Sequence, residues 1–140
     1  MPPDTDIEIT QTSYQAILDA AEPQLFVSDI EASCDFFAKK LGFAIAFLHG
    51  DPPFYGQVSR DGARLNLRHV DAPLFDNALG AREVFLSASI AVDDVNRLYL
   101  EFQSAGAAFR QAPRKESRGD RAFIVEDPDG NLLLFAGSAD

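Results

Sequence analysis

Leu25-Phe26-Val27-Ser28-Asp29-Ile30 opens a pattern that returns at Ser89-Ile90-Ala91-Val92-Asp93-Asp94-Val95, and these two stretches decide the fold. Each is a short apolar run, as a buried strand requires, that ends on an acidic helix start. After the first, apolar residues recur at Ile30, Cys34, Phe37 and Leu41, one face of a helix, before Gly42 stops it. After the second they recur at Val95, Leu98, Tyr99 and Phe102, before Gly106. Val27 and Val92, Asp29 and Asp94, and Phe37 and Phe102 are each 65 residues apart. Ser28 and Glu31 have the spacing of a capping box, in which each side chain serves a free backbone N–H at the helix start.

The agreement continues beyond the helices. Strands are expected over 43–49, 54–59 and 64–70 in the first copy and over 107–111, 122–126 and 131–136 in the second. In each copy the last two strands meet at an Asp-Gly pair, Asp61-Gly62 and Asp129-Gly130, a favoured hairpin turn. Each copy therefore reads strand, helix, strand, strand, strand, and the whole is an α+β domain of two tandem βαβββ modules. Module one covers 22–70 and module two 83–137. Residues 71–82, with Pro73, Asn77 and Gly80, form a linker with room for a short helix. Residues 1–21 are an N-terminal extension in which Tyr14, Ile17 and Leu18 could share one face of a short helix.

Composition narrows the function. A chain of 140 residues with 46% hydrophobic and 24% charged content builds one globular domain. No apolar run approaches the roughly 20 residues that span a bilayer. The acidic start, Met1 to Asp6, lacks a secretion signal, so a cytoplasmic protein is expected. A net charge of −10 argues against nucleic acid as a partner. One cysteine, Cys34, excludes an internal disulfide, and its place on the apolar helix face makes it a core residue. There is no Ser-His-Asp ordering, P-loop or dinucleotide fingerprint.

The repeat, with Val27-Ser28-Asp29-Ile30-Glu31, Phe36-Phe37, Leu41-Gly42-Phe43 and Asp127-Pro128-Asp129-Gly130-Asn131-Leu132, resembles the glyoxalase / bleomycin-resistance / extradiol-dioxygenase superfamily, also called vicinal oxygen chelate proteins. The resemblance covers about residues 22–137. It implies two modules whose curved mixed sheet surrounds a cleft, within a homodimer. Members include lyases, isomerases, ring-cleaving dioxygenases and antibiotic-sequestering proteins that catalyse nothing. The enzymes hold a divalent metal through one His, Gln or Glu on the first and last strand of each module. Carried onto this chain, those positions are Glu22 or Gln24, Asn66, Ser87 and Leu134. An aliphatic side chain cannot ligate, and Ser and Asn are weak ligands for transition metals. No metal and no cofactor are therefore expected.

Strand alternation indicates what lines the cleft. With Leu65, Leu67, Leu133 and Phe135 packed on helices, Arg64, Asn66, Arg68, Leu132 and Leu134 turn the other way, joined by Ser87 and Ser89. Arg64 and Arg68 suit a carboxylate or another anion. Phe47, Phe54, Tyr55 and Phe75 lie near loops where they could stack on a planar ligand. His69 falls on the helix side as a hydrogen-bonded structural residue, and His49 ends a strand. Arg110, Arg114, Lys115, Arg118 and Arg121 read as a solvated hairpin edge. These residues favour a metal-free, homodimeric small-molecule binding protein resembling the bleomycin-resistance branch. The alternative is a metal-dependent lyase, isomerase or dioxygenase with a shifted ligand set of Glu22, His69 and Glu126. A third reading is a degenerate domain that makes only protein contacts.

Overall fold

A computed structural model describes residues 15–72, 84–117 and 119–138. Module one consists of β1 (Gln24–Val27), α1 (Ile30–Leu41), β2 (Ala44–Gly50), β3 (Pro53–Arg60) and β4 (Ala63–His69). Module two repeats the order as β5 (Leu86–Val92), α2 (Val95–Ser104), β6 (Phe109–Lys115), β7 (Arg121–Glu126) and β8 (Leu132–Gly137). The strands form two four-stranded mixed sheets, ordered β1-β4-β3-β2 and β5-β8-β7-β6. β1–β4 and β5–β8 are the parallel pairs, and both hairpins form at the Asp-Gly turns. No described helix is long and apolar enough to cross a membrane.

Each helix packs on one face of its own module's sheet. Ile30, Cys34, Phe37 and Leu41 of α1 meet Leu25, Val27, Val58, Leu65 and Leu67, while Val95, Leu98 and Phe102 of α2 meet Phe123, Val125, Leu133 and Phe135. All belong to one continuous core. Edge-to-face ring contacts tie Phe36, Phe37 and Phe43 together in module one and Phe102, Phe123 and Phe135 in module two. Cys34 is part of this core, and burial raises its thiol pKa, which suits packing rather than nucleophilic chemistry.

Three expectations are corrected. The cap of α1 is Asp29, whose carboxylate accepts from the Ala32 N–H at 3.1 Å; the Ser28 N–H instead donates to Asp129 Oδ1. Asp94 caps α2 in the same way, through the Arg97 N–H. Strand β6 begins two residues later than expected and runs to Lys115; the Ala107 N–H still donates to the Phe102 carbonyl at the end of α2. As the outer strand of its sheet it can carry Pro113, and it presents Arg110, Arg114 and Lys115 as an edge. Residues 15–20 form no helix, and Ile17 and Leu18 are exposed. Apolar residues at helical spacing without a surface to bury them do not hold a short helix. Tyr14 and most of the linker, including Phe75, lie outside the described residues, as does Arg118.

Polar contacts join the modules where the shared core ends. Arg60 donates to the free Leu41 carbonyl at the C-terminus of α1 (2.8 Å) and to both oxygens of Glu101 on α2 (2.7 and 3.0 Å). It also stands 6.0 Å from the Phe102 ring, and its hydrogen bonds, aided by its charge, hold the Glu101 carboxyl below the usual range against desolvation. On the opposite side the β7–β8 turn reaches module one. Asn131 Nδ2 donates to the Phe26 carbonyl at 3.0 Å, and Asp127 fixes Asn131 by accepting from its N–H and its amide and from the Asp129 N–H.

Replacing Arg60 by Ala should cost about 1–2 kcal/mol in urea unfolding, through the lost carbonyl bond and packing. Glu101→Gln should cost about 0.5 kcal/mol and lose that effect in high salt, because half-exposed ion pairs are screened. Burial pushes the Asp127 carboxyl from 3.8 up to about 6, against the hydrogen bonds that pull it down. The folded state therefore holds a proton that the unfolded state has released. The resulting stability is complete below the unfolded value and disappears as pH rises through about 6. Between about pH 7.5 and pH 5, thermal melts of the wild type should gain about 1 kcal/mol relative to Asp127→Asn. Parallel pH profiles would contradict the assignment.

Candidate functional site

Residues paired across a sheet share a face, so register shows where each predicted site residue lies. In sheet one, Gln24 pairs with Asn66 and Phe26 with Arg68; Tyr55 pairs with Arg68, Gln57 with Asn66 and Ser59 with Arg64. Phe47 pairs with Gln57 and His49 with Tyr55. These residues all lie on the face turned away from α1. Arg64, Asn66, Arg68 and Phe47 are thus brought together. Phe54 follows the parity of Gly56 and Val58 and belongs to the opposite face, where it is 56% exposed.

The two ends of this face differ in character. Toward the β2–β3 loop the rings of Phe47, His49 and Tyr55 gather, with centroids 5.1 Å (Phe47–His49) and 6.1 Å (Phe47–Tyr55) apart and His49 parallel to Tyr55. Arg68 lies beside Tyr55 in register and is exposed. Toward the start of β1, a polar cluster is closed on itself. Gln57 Nε2 donates to Asn66 Oδ1 at 2.9 Å and to Glu22 Oε1 at 3.2 Å, and Asn66 Nδ2 donates to the same Glu22 oxygen at 3.3 Å. Arg64 stands 3.9 Å from the other Glu22 oxygen. Gln57 was not foreseen from the sequence. The Asp61-Gly62 turn pairs Arg60 with Ala63, and counting outward from it reaches Gln57 opposite Asn66.

In sheet two, Ser89 and Ile124 flank Leu134 and share its face, with Leu132, Leu86 and Glu126 further along. That face is mainly aliphatic where the face of sheet one is polar and aromatic. Ser87 lies at a register irregularity between Leu86 and Ala88, and its hydroxyl donates to Asn131 Oδ1 at 2.8 Å. It therefore belongs with the β7–β8 turn rather than with Ser89.

The four positions at which the enzymes of this fold hold a metal do not fit one here. Glu22 already accepts two amide donors and faces Arg64, Asn66 is bound to Gln57, Ser87 is bound to Asn131, and Leu134 has no donor atom. The shifted set is not assembled either. His69 pairs with Val27 on the helix side and bonds Asp71 at 3.0 Å. Among the described residues, no three His, Cys, Asp or Glu side chains gather closely enough to hold a metal ion. A cavity of about 740 Å³ opens between the β3–β4 turn and α2, and of the predicted residues Glu22, Arg64 and Ser89 line it.

Comparison with known proteins agrees with this geometry. The profile of the Glyoxalase/Bleomycin resistance protein/Dioxygenase superfamily matches residues 17–135. A bleomycin resistance protein of Geobacillus stearothermophilus is 30% identical over 125 residues, spanning 81% of this chain and 92% of that protein. The bleomycin resistance protein of Staphylococcus aureus gives the same figures. Among solved structures, the bleomycin-binding protein of bleomycin-producing Streptomyces verticillus, complexed with copper(II)-bleomycin, has a TM-score of 0.70 at 24% identity, covering 90% of this chain and 100% of that one. A bleomycin-binding protein complexed with bleomycin has a TM-score of 0.69 at 22% identity, covering 86% and 99%. At those identities the structures speak for the fold, and the match over residues 17–135 places the chain in the glyoxalase/bleomycin resistance protein/dioxygenase superfamily.

Proposed function

We propose that this protein binds a small molecule stoichiometrically and without a metal, as a cytoplasmic homodimer, and acts by sequestration. The observation that carries this reading is the face of sheet one, where Phe47, His49 and Tyr55 gather beside Arg68. Rings of this kind stack on planar groups, and an exposed guanidinium offers a bidentate partner for a carboxylate or similar anion. Leu134, Leu132 and Ile124 on sheet two offer apolar area to the same ligand. A partner chain that brings its sheet two against this sheet one would enclose the ligand between an aromatic wall and an aliphatic one.

Binding needs no acid, base or metal at the positions now held by Glu22, Asn66, Ser87 and Leu134. Two of the relatives are bleomycin resistance proteins, so bleomycin is the first ligand to try. The expected ligand class is a planar aromatic molecule with at least one anionic or strongly accepting group.

Isothermal titration of the metal-free protein should give one ligand per chain and no product. Tyr55→Ala and Arg68→Ala should each weaken binding about tenfold, roughly 1.4 kcal/mol, while leaving the melting curve unchanged. Loss of neither, or turnover of the ligand, would defeat the proposal. Protein purified without chelators should carry only substoichiometric metal that dialysis removes. One tightly held Zn, Fe, Mn or Ni per chain would overturn the metal-free reading independently of any ligand.

A further inference from the structure

The two modules meet at two seams related by the internal repeat. At only one, the closed seam, does the hairpin turn hydrogen-bond to the facing strand; the other is bridged by Arg60 and Glu101. At the closed seam the β7–β8 turn of module two touches the end of β1. Asn131 Nδ2 donates to the Phe26 carbonyl and Asp129 Oδ1 accepts from the Ser28 N–H. At the other seam the β3–β4 turn of module one faces the end of β5. Alignment of the two Asp-Gly turns puts Asp61 where Asp129 stands and Ala63 where Asn131 stands. Ala91 and Asp93 take the places of Phe26 and Ser28. Alanine has no amide to donate, and Asp61 and Asp93 carry like charges. Among the described residues, no hydrogen bond joins Asp61 or Ala63 to β5. The cavity of about 740 Å³ occupies this seam.

Its floor is apolar, formed by Phe43, Leu65, Ile90, Val92, Leu98 and Phe102. Ile90 and Val92 are only partly buried, so apolar surface is left open to an occupant. The mouth is charged. Glu101 is bonded to Arg60, and Glu22 faces Arg64. Asp61 stands 4.0 Å from Arg60, Asp94 caps α2, and Asp93 and Arg97 also line the cavity, so five carboxylates stand against three guanidiniums. The volume lies within the range of small-molecule sites. Its apolar floor and surplus of negative charge differ from the ring cluster and free arginine of the sheet-one face.

We propose that the open seam is a second ligand site, set apart from the Phe47–His49–Tyr55 ring cluster, for a small molecule with an apolar aromatic body and one cationic group. The body lies on the Ile90–Val92–Leu98 floor, and the cation sits at the mouth near Asp61 and Asp93. The inference is independent of the ligand assigned to the sheet faces.

Fluorescence titration of the full chain with a cationic triarylmethane dye tests it, with the anionic dye anilinonaphthalene sulfonate as control. The cationic dye should bind once per chain and at least tenfold more tightly than the anionic one. Ala63→Trp should fill the seam and weaken the cationic dye at least tenfold. Ala63→Asn should do the same by supplying the amide that closes the other seam. Should either variant fold poorly, Asp61→Asn with Asp93→Asn changes only mouth charges and should abolish the preference for the cation. Tyr55→Ala should leave the dye unaffected. Equal affinity for both dyes, undiminished binding in a folded Ala63→Trp protein, or loss of binding in Tyr55→Ala would each overturn the proposal.

Discussion

Among the described residues, each sheet of this protein has two faces and a single helix packed on it. α1 and α2 are amphipathic along one stripe only, so each buries one sheet face and leaves the other to carry different residues. The buried faces merge into one core, which is where stability comes from. The remaining faces need not serve the core, and they have diverged: aromatic and polar on sheet one, mainly aliphatic on sheet two. The contrast between the core faces and the remaining faces follows from that arrangement.

The same constraint explains what was legible in the sequence. Helix faces, strand alternation and the Asp-Gly turns are periodic or local signals, and they located both modules and separated Leu65 and Leu67 from Arg64, Asn66 and Arg68. Caps are also local, yet Ser28 and Asp29 compete for the same role. Asp29 takes it through the Ala32 N–H, while the Ser28 N–H donates to Asp129, 101 residues away. Gln57 was visible in principle, since a hairpin turn fixes which residues oppose each other. Ser87 was not, because a register irregularity suspends the alternation on which the expectation rested. The open seam depends on contacts between modules that no single segment encodes.

Three of the positions carried over from the family, Glu22, Asn66 and Ser87, are engaged in internal hydrogen bonds. Glu22, Gln57 and Asn66 satisfy one another, and Arg64 balances the remaining carboxylate charge. Such a cluster keeps buried amides paired, as burial demands, and leaves few free lone pairs for a cation. Strands that elsewhere present ligands here stiffen one end of the sheet beneath the ring cluster.

The Asp127-to-Asn131 turn, read from sequence as a common hairpin, has a further consequence. Asp127 holds Asn131, Asn131 holds Phe26 and Ser87, and Asp129 holds Ser28. Groups that share partners do not respond independently, so substitutions at these positions carry interaction energies of their own. A change tolerated at Asn131 alone depends on what stands at Asp127 and Ser87, and its effect is felt across the chain at β1. This turn therefore makes the mutational history of one module contingent on the other through polar contacts, in addition to the core they share.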